Sequence, residues 1–381
     1  MGRATARRNR PLWSDRPGWR RVPSGKKMRL AQAGDRPAVL IVNAMEGEPA
    51  SMKDRFLITH SPHLVLDGAE LAASALGSTR IVICVTNEAN DLSAVLDAAL
   101  RERSTGVPAT ARIEVRRLPG RYVSGEESAL VAGVAGKRGL PSFRPDKSVP
   151  LSLGRRPALV HNVETLANVA LIARYGSAWF RQIGVAQAPG TRLVTISGSV
   201  NRPGVSEVAT GTPMDQILEA ALPDPALQAV LVGGYGGTWI GRSQMATPYA
   251  PLELKEIGAS MGAGVLVALS TNSCGIAETA RIARYMAAES AGQCGPCLFG
   301  LPAIADDLCV IAAGRSERRI LDRLRDRCGA VSGRGACRHP DGVVQLVTSA
   351  LAVFSSDVES HLRGRPCPAA HSYWREQDRR P

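Results

Sequence analysis

This 381-residue chain has no uninterrupted apolar stretch of the ~20 residues that a membrane-spanning helix needs. Its start also has no apolar core of the kind that opens a secretory signal. Its eight cysteines form no regular framework, which argues for reduced thiols in a cytoplasm rather than a disulfide-stapled secreted domain. The chain has no basic stripe with interleaved aromatics, and aromatic residues make up only 4% of it, so the body is not read as a nucleic-acid binder. The positive charge is concentrated rather than spread. Residues 1–30 hold ten Lys/Arg against one Asp, a large part of the net +13. Such an arm could touch an anionic surface, but a solvated terminus is the simpler account of residues 1–21. What remains is an ordinary 44% apolar content and enough length for two or three cores.

The closest pair of cysteines organises the rest. Cys294 and Cys297 stand in Glu289-Ser-Ala-Gly-Gln-Cys-Gly-Pro-Cys-Leu-Phe-Gly300, just after a helical run from Ile276 to Glu289. Two thiolates three residues apart at a Gly-Pro turn suit one soft metal centre: zinc, iron–sulfur or a redox dithiol. Cys337 follows about forty residues on and could supply a third ligand. Helical patterns at 276–289, 301–313, 317–327 and 342–363 predict a small bundle around these thiols.

Upstream, apolar runs at Ala38–Asn43, Arg80–Thr86 and Arg112–Leu118 read as buried strands, alternating with helices over Pro62–Leu76 and Asp91–Glu102. A doubly wound α/β layer is implied, with its ligand at the carboxyl ends of the strands. Two acidic, glycine-containing loops lie there: Asn43–Arg55 and Arg121–Leu130. Their carboxylates would suit a hydroxyl-rich ligand such as a ribityl chain or ribose, although a Glu in a helix's first turn is also ordinary dipole matching. A Pro- and Arg-rich linker, 139–157, precedes His161-Asn-Val-Glu-Thr-Leu, where Asn162 is placed to cap a helix with Thr165 at its third position. Free amides at such an N-terminus can seat a phosphate. Beyond Gly190, a hairpin (Leu193–Val200 with Val205–Val208), a capped helix over Thr212–Leu222 and a strand over Ala229–Val232 form a small α+β module.

Taken in order, Asn43…Glu46-Gly-Glu-Pro…Lys53-Asp-Arg55, Tyr122…Gly125-Glu-Glu-Ser-Ala-Leu130, Gly136-Lys-Arg-Gly139, Asn162-Val-Glu-Thr-Leu166 and Gly292-Gln-Cys-Gly-Pro-Cys297 resemble the flavin-bearing, NADH-oxidising subunit of NADH-quinone oxidoreductase (respiratory complex I) and related diaphorase subunits. The resemblance spans roughly residues 22–363. It implies a Rossmann-like FMN/NADH domain at 22–184, an SLBB-like β-grasp module at 190–269, a helical iron–sulfur domain at 271–363 and a tail at 364–381. It implies FMN held by Gly25, Lys26, Asn43, Glu46, Gly47, Tyr122, Gly125, Glu126, Asn162 and Thr165, with Glu48 and Glu127 facing NADH. It further implies a cluster on Cys294, Cys297 and Cys337, [4Fe–4S] or [3Fe–4S]. The expected partners are NADH and a ferredoxin or other electron-transfer subunit, or a membrane reductase at the inner face of the membrane, with no nucleic acid.

The chain departs from the family pattern in several places. The family's flavin loop, Gly-Arg-Gly-Gly-Ala-Gly-Phe-Pro-Thr-Gly-Lys, is here Arg16-Pro-Gly-Trp-Arg-Arg-Val-Pro-Ser-Gly-Lys26, without most of the glycines that admit a phosphate to the backbone. Met45 replaces an Asp, and Arg144-Pro-Asp-Lys147 replaces a Lys-Pro-Pro-Phe type sequence. Ala291 stands where the family has its first cluster cysteine. The missing ligand would come from Cys328, His339, Cys274 or solvent, and zinc or an empty thiol site stays open. Cys84 and Cys309 read as core residues and Cys367 as incidental. A second expectation follows from the losses: a non-catalytic relative serving as an assembly or docking subunit.

Overall fold

The computed structural model describes residues 24–33, 36–104, 111–144, 149–315 and 319–370. The basic arm, most of the altered flavin loop, part of the Arg144–Lys147 segment and the end of the tail lie outside them.

Helix α1 (Ser24–Gln32) leads to strand β1 (Val39–Asn43), followed by α2 (Lys53–His60), α3 (Pro62–Ala75), β2 (Arg80–Thr86), α4 (Asn90–Ser104) and β3 (Arg112–Leu118). A 3-10 turn at Tyr122–Gly125 opens α5 (Glu127–Val134), and β4 (Leu151–Leu153), β5 (Arg156–Asn162) and α6 (Val163–Tyr175) complete the layer. The sheet order is β3-β2-β1-β5-β4. All neighbours run parallel except the short β4, which lies antiparallel to β5 on the edge. The Val-Leu-Ile-Val of β1 and the Ile-Val-Ile-Cys-Val of β2 are buried on both faces because helices cover both sides, as a parallel sheet requires. Edge strand β3 carries Arg112, Glu114, Arg116 and Arg117, charges that discourage further pairing. Helices α3 and α6 meet at Gly68, where a Cβ would lie 1.9 Å from the Leu166 carbonyl oxygen.

A short α7 (Ser177–Phe180) and a two-residue ribbon, β6 (Gly184–Val185) with β7 (Ala188–Pro189), lead into the second sheet. Its elements are β8 (Thr191–Gly198), β9 (Gly204–Ala209), α8 (Met214–Glu219), β10 (Leu227–Val232), β11 (Thr238–Gly241), α9 (Pro251–Glu256) and β12 (Val265–Ser270). The order is β11-β10-β12-β8-β9, with β12 and β8 parallel at the centre. The bundle follows: α10 (Gly275–Ala288), a single π-turn at Pro296–Gly300, α11 (Leu301–Ala312), α12 (Ile320–Val331), α13 (His339–Val353) and α14 (Ser355–Leu362). Its core continues onto the second sheet through Leu231 and Trp239.

Strands β1–β3 and the hairpin lie where the apolar patterns place them. The structure differs elsewhere, for reasons of local chemistry. The expected linker ends in a buried strand, β5, hidden from a periodicity reading by Pro157 and by a helix that follows without a loop. The helix expected over Thr212–Leu222 has only six residues and no side-chain cap, and Leu222 (φ +51) lies beyond it. Strands β11 and β12 have no counterpart among the elements expected from the sequence. The run 342–363 is two helices that break at Phe354, and the first begins earlier, at His339, with Pro340 in its first turn. As far as residue 370 the tail packs onto the bundle, where Ala370 is buried in the core.

Candidate functional site

In the parallel sheet the strand order turns back at β1 and β5, and the last residues of these strands, Asn43 and Asn162, are register partners. Such a reversal opens a crevice at the carboxyl ends of the strands. The Asn43 amide donates to the Gly125 carbonyl (2.9 Å) and its oxygen accepts from the Met45 N–H (3.2 Å), tying the loop after β1 to the turn after β3. Gly47 fits beneath that turn because a Cβ there would lie 2.9 Å from the carbonyl oxygens of Arg121 and Tyr122.

The carboxylates of these loops are largely taken up by the fold. Glu46 adopts a left-handed backbone (φ +36), and its side chain accepts from Ser51 Oγ (2.7 Å) and from the Asp54 and Arg55 amides (both 2.9 Å) at the start of α2. Glu126 caps α5, accepting from the Ser128 (2.9 Å) and Ala129 (3.1 Å) amides and from the Ser128 hydroxyl. Glu127 pairs with Lys27. Glu48 is buried and accepts from Tyr122 Oη (3.1 Å) and from the backbone amides of Tyr235 (2.9 Å) and Ala50 (3.3 Å). Burial still raises its pKa above the ordinary carboxylate value, against those donors. The same burial, with the Glu48 charge beside it, holds the Tyr122 phenol well above its usual range.

At the second strand end, Asn162 caps α6 through the Glu164 amide (3.0 Å) and accepts from Lys53 Nζ (2.9 Å). Its own amide donates to Asp54 Oδ2 (2.6 Å). Buried Lys53 reaches both Asp54 (2.5 Å) and Glu164 (3.4 Å). Burial works against its charge, but these two carboxylates outweigh it, so its pKa is raised. Thr165 is half-buried at the third helical position. Gly25 and Lys26 are exposed in the first turn of α1. The motifs do not point to their neighbour in that turn, Lys27, which the fold sets beside His161 of β5. The imidazole of His161 is buried, and its Nε2 has no hydrogen-bond partner among the described residues. Burial, and then the Lys27 charge, lower its pKa to about 4, so the ring is neutral near pH 7. Nothing in the pattern of β5 distinguishes this histidine from a core residue.

The cysteine loop abuts the same crevice. Tyr122 N donates to Glu289 (2.9 Å), Arg121 to the Ser290 carbonyl (3.0 Å), and Gln293 to the Pro141 carbonyl (2.9 Å). Cys297 is buried in the π-turn, Cys294 precedes it, and Cys337 lies just ahead of α13. Burial pushes the Cys294 thiol up, but hydrogen bonds, those from the Ala336 and Cys297 amides first among them, outweigh it, and the net shift is downward. Cys297 is pushed up to about 12 by burial and by its neighbour Cys294, and burial also raises Cys337. Glu126 and Cys337 line one cleft of about 290 Å³ together with Tyr122, Gly236 and His339. His339 Nε2 lies 2.7 Å from the Met286 carbonyl and so carries the proton, while its buried Nδ1 has no partner among the described residues.

Two further cysteines considered as the fourth ligand lie elsewhere. Cys274 caps the opposite end of α10, a helix of about 20 Å by its rise per residue. Cys328 is buried in α12, where it feels Asp307. Cys84 is a buried strand residue, and Cys309 is buried in α11 and accepts from Arg284 (2.9 Å). Three thiols with backbone amides aimed at one of them fit an anionic iron–sulfur group at three corners, and Ala291 offers no atom for the fourth. The unpartnered His161 nitrogen, with Lys27 and the start of α6, fits a phosphate-bearing group at the strand ends.

Comparison with known proteins identifies the family of the chain. Residues 18–171 match the model of the Nuo51 FMN-binding domain, and residues 277–361 match that of the NADH-ubiquinone oxidoreductase-F iron-sulfur binding region. The chain is 30% identical over 360 residues to the second F-type subunit of NADH-quinone oxidoreductase in Rhizobium meliloti, covering 91% of this chain and 86% of that protein. It is 30% identical over 361 residues to the F-type subunit of the same enzyme in Streptomyces coelicolor, covering 91% and 80%. The solved NAD+-reducing [NiFe]-hydrogenase in the air-oxidized state superposes with a TM-score of 0.83 at 32% identity over 94% of this chain. This chain spans 64% of that structure's chain. Identity over nearly the whole length, together with the two matched segments in the same order, means that the chain belongs to the family of NADH-quinone oxidoreductase F-type subunits.

Proposed function

We propose that this chain is an NADH-oxidising electron-transfer flavoprotein, with FMN between the strand-end loops and the bundle and an iron–sulfur cluster on Cys294, Cys297 and Cys337. The observation that carries the reading is the shared cleft: Glu126 of the flavin-side turn and Cys337 of the cysteine site both line it. FMN, when bound, would supply the conversion between two-electron hydride chemistry with NADH and single-electron transfer. The protein's part is placement. Asn43, Gly47 and Gly125 shape the crevice floor, and Glu46, Glu126 and Asn162 act on it indirectly, by fixing the helix starts around it. His161, Lys27 and Lys26 supply the polar edge toward a phosphate, with Thr165 beside the start of α6. Glu48 and Tyr122 bring the Tyr235 backbone against the same wall, and Glu127, assigned to the NADH side, pairs with Lys27. The fourth corner of the cluster falls to His339 Nδ1 or stays open, which makes [4Fe–4S] and [3Fe–4S] forms the two outcomes.

The second sheet, with two parallel central strands flanked by antiparallel pairs, is read as the SLBB-like β-grasp module at 190–269, between the α/β domain at 22–184 and the bundle at 271–363. Leu298 and Phe299, 52% and 75% exposed beside Cys297, favour an acceptor subunit docking there. A ferredoxin-like partner or a membrane reductase at its cytoplasmic face fits that position. Among the described residues no helix is long and apolar enough to cross a membrane.

Anaerobically reconstituted protein should contain flavin, iron and sulfide, and NADH should bleach the flavin absorbance. Flavin that stays oxidised under excess NADH would remove the dehydrogenase. Absence of both groups would favour the docking-subunit reading, which the occupied carboxylates and Ala291 support.

A further inference from the structure

At the far end of α10 from the cysteine loop, Cys274, His361 and Cys367 each present a ligand atom, and these atoms lie within 4.8 Å of one another. We propose that they form a second metal site, a structural zinc site that ties the start of α10, the end of α14 and the chain's C-terminal segment together.

The histidine is set up for ligation. His361 is fully buried, and its Nδ1 lies 3.1 Å from the Ile311 carbonyl oxygen. A carbonyl can only accept, so Nδ1 holds the proton and Nε2 keeps its lone pair. Metal-bound histidines have this arrangement: the remote N–H is fixed by a backbone acceptor and the near nitrogen is free to coordinate. That near nitrogen lies 3.7 Å from Cys274 Sγ and accepts the Cys367 amide at 3.1 Å. A metal would take over that lone pair.

The two thiols are held by independent features. Cys274 is the N-cap of α10, where its sulfur accepts from the Ala277 amide at 3.3 Å, and a helix N-terminus favours a thiolate. Cys367 is presented by an ordered turn. Gly364 takes a left-handed conformation (φ +73), the Ser360 hydroxyl donates to the Arg365 carbonyl (2.7 Å), and the Arg365 amide returns to the Ser360 carbonyl (3.0 Å). Without metal, burial drives the Cys274 thiol up to about 12, with Cys367 adding to the shift.

Two sulfurs and one imidazole nitrogen suit a tetrahedral Zn²⁺. Cys367 is half-buried, so solvent can complete the fourth position on its side. Binding replaces two S–H bonds with two Zn–S bonds and releases two protons to water, with no change of oxidation state. The site is separate from the iron-binding thiols by the length of α10.

The test uses the full chain, grown with zinc and iron and purified without chelator or metal-affinity resin. A stoichiometric zinc is expected to survive dialysis and to vanish in Cys367→Ser with iron unchanged, while Cys337→Ser loses iron and keeps zinc. Cobalt replacing the zinc should show thiolate-to-metal charge transfer in the wild type and lose it in Cys367→Ser, a near-isosteric change at a half-buried position. Wild-type protein without zinc and without the cobalt signal overturns the proposal. So does zinc that disappears with Cys337 instead, or a Cys274–Cys367 disulfide found in unreduced peptides.

Discussion

At the scale of single residues, two buried ionisable groups give opposite pH signatures. His161 has its pKa lowered to about 4 from 6.5, so the folded state resists protonation. Its contribution is fully present above 6.5 and is lost as pH falls toward 4, by at most about 3–4 kcal/mol. Glu48 has its pKa raised from 4.5, so the folded state holds its proton more tightly than the unfolded chain. That contribution is complete below 4.5 and is lost as pH rises through the folded value. Urea midpoints across pH 4–8 should therefore respond differently in two variants. His161→Asn should flatten the acid side of the stability curve, and Glu48→Gln should gain on wild type as pH rises above 4.5. An unchanged acid limb in His161→Asn would mean that the imidazole is solvated. Neither shift is legible in the sequence, because each arises from burial that residues distant in the chain create.

At the scale of elements, the helix starts are what hold the crevice in shape. Asn162 caps α6 and at the same time satisfies Asp54 and Lys53 of α2. Asn162→Ala should cost about 2–4 kcal/mol, the lost cap of ~1 kcal/mol plus two buried charges left with one partner fewer. A change within about 0.5 kcal/mol in denaturant unfolding would show that water replaces the amide without penalty. The α3–α6 contact permits a second measurement. Gly68→Ala forces the helices apart at Leu166, and overpacking of this kind costs about 1–3 kcal/mol, read as a lower midpoint with unchanged slope. The cap at Asn162 is legible in the sequence because it needs only local chemistry. The dual use of Asn162 is not, since Lys53 and Asp54 are more than a hundred residues away. The acidic loops suit a ligand by composition alone; the structure instead gives Glu46 and Glu126 to helix starts, where they match the dipole and satisfy free amides.

At the scale of the whole molecule, Tyr122 stands where three units meet. Its amide reaches Glu289 of the bundle, its hydroxyl reaches Glu48 of the α/β layer, and Glu48 in turn holds the Tyr235 amide of the second sheet. Tyr122→Phe removes one donor from a buried carboxylate and should destabilise the chain by about 1–3 kcal/mol. If the units are coupled there, calorimetry should show the single unfolding transition broaden or split; one unchanged transition would place the coupling elsewhere.

The parallel strands, the bundle, the helix cap and the ordered motifs follow from the amino-acid order alone, because apolar periodicity, capping and cysteine spacing act over a few neighbouring residues. Packing, by contrast, gives Glu46 and Glu126 to helix starts and buries Glu48 against Tyr122. It also made a buried strand of Arg156–Asn162 despite its proline, and it set Cys274 beside Cys367 rather than beside Cys297. These outcomes depend on contacts between residues far apart in the chain, where burial, charge and hydrogen bonding are fixed only once the layers have packed.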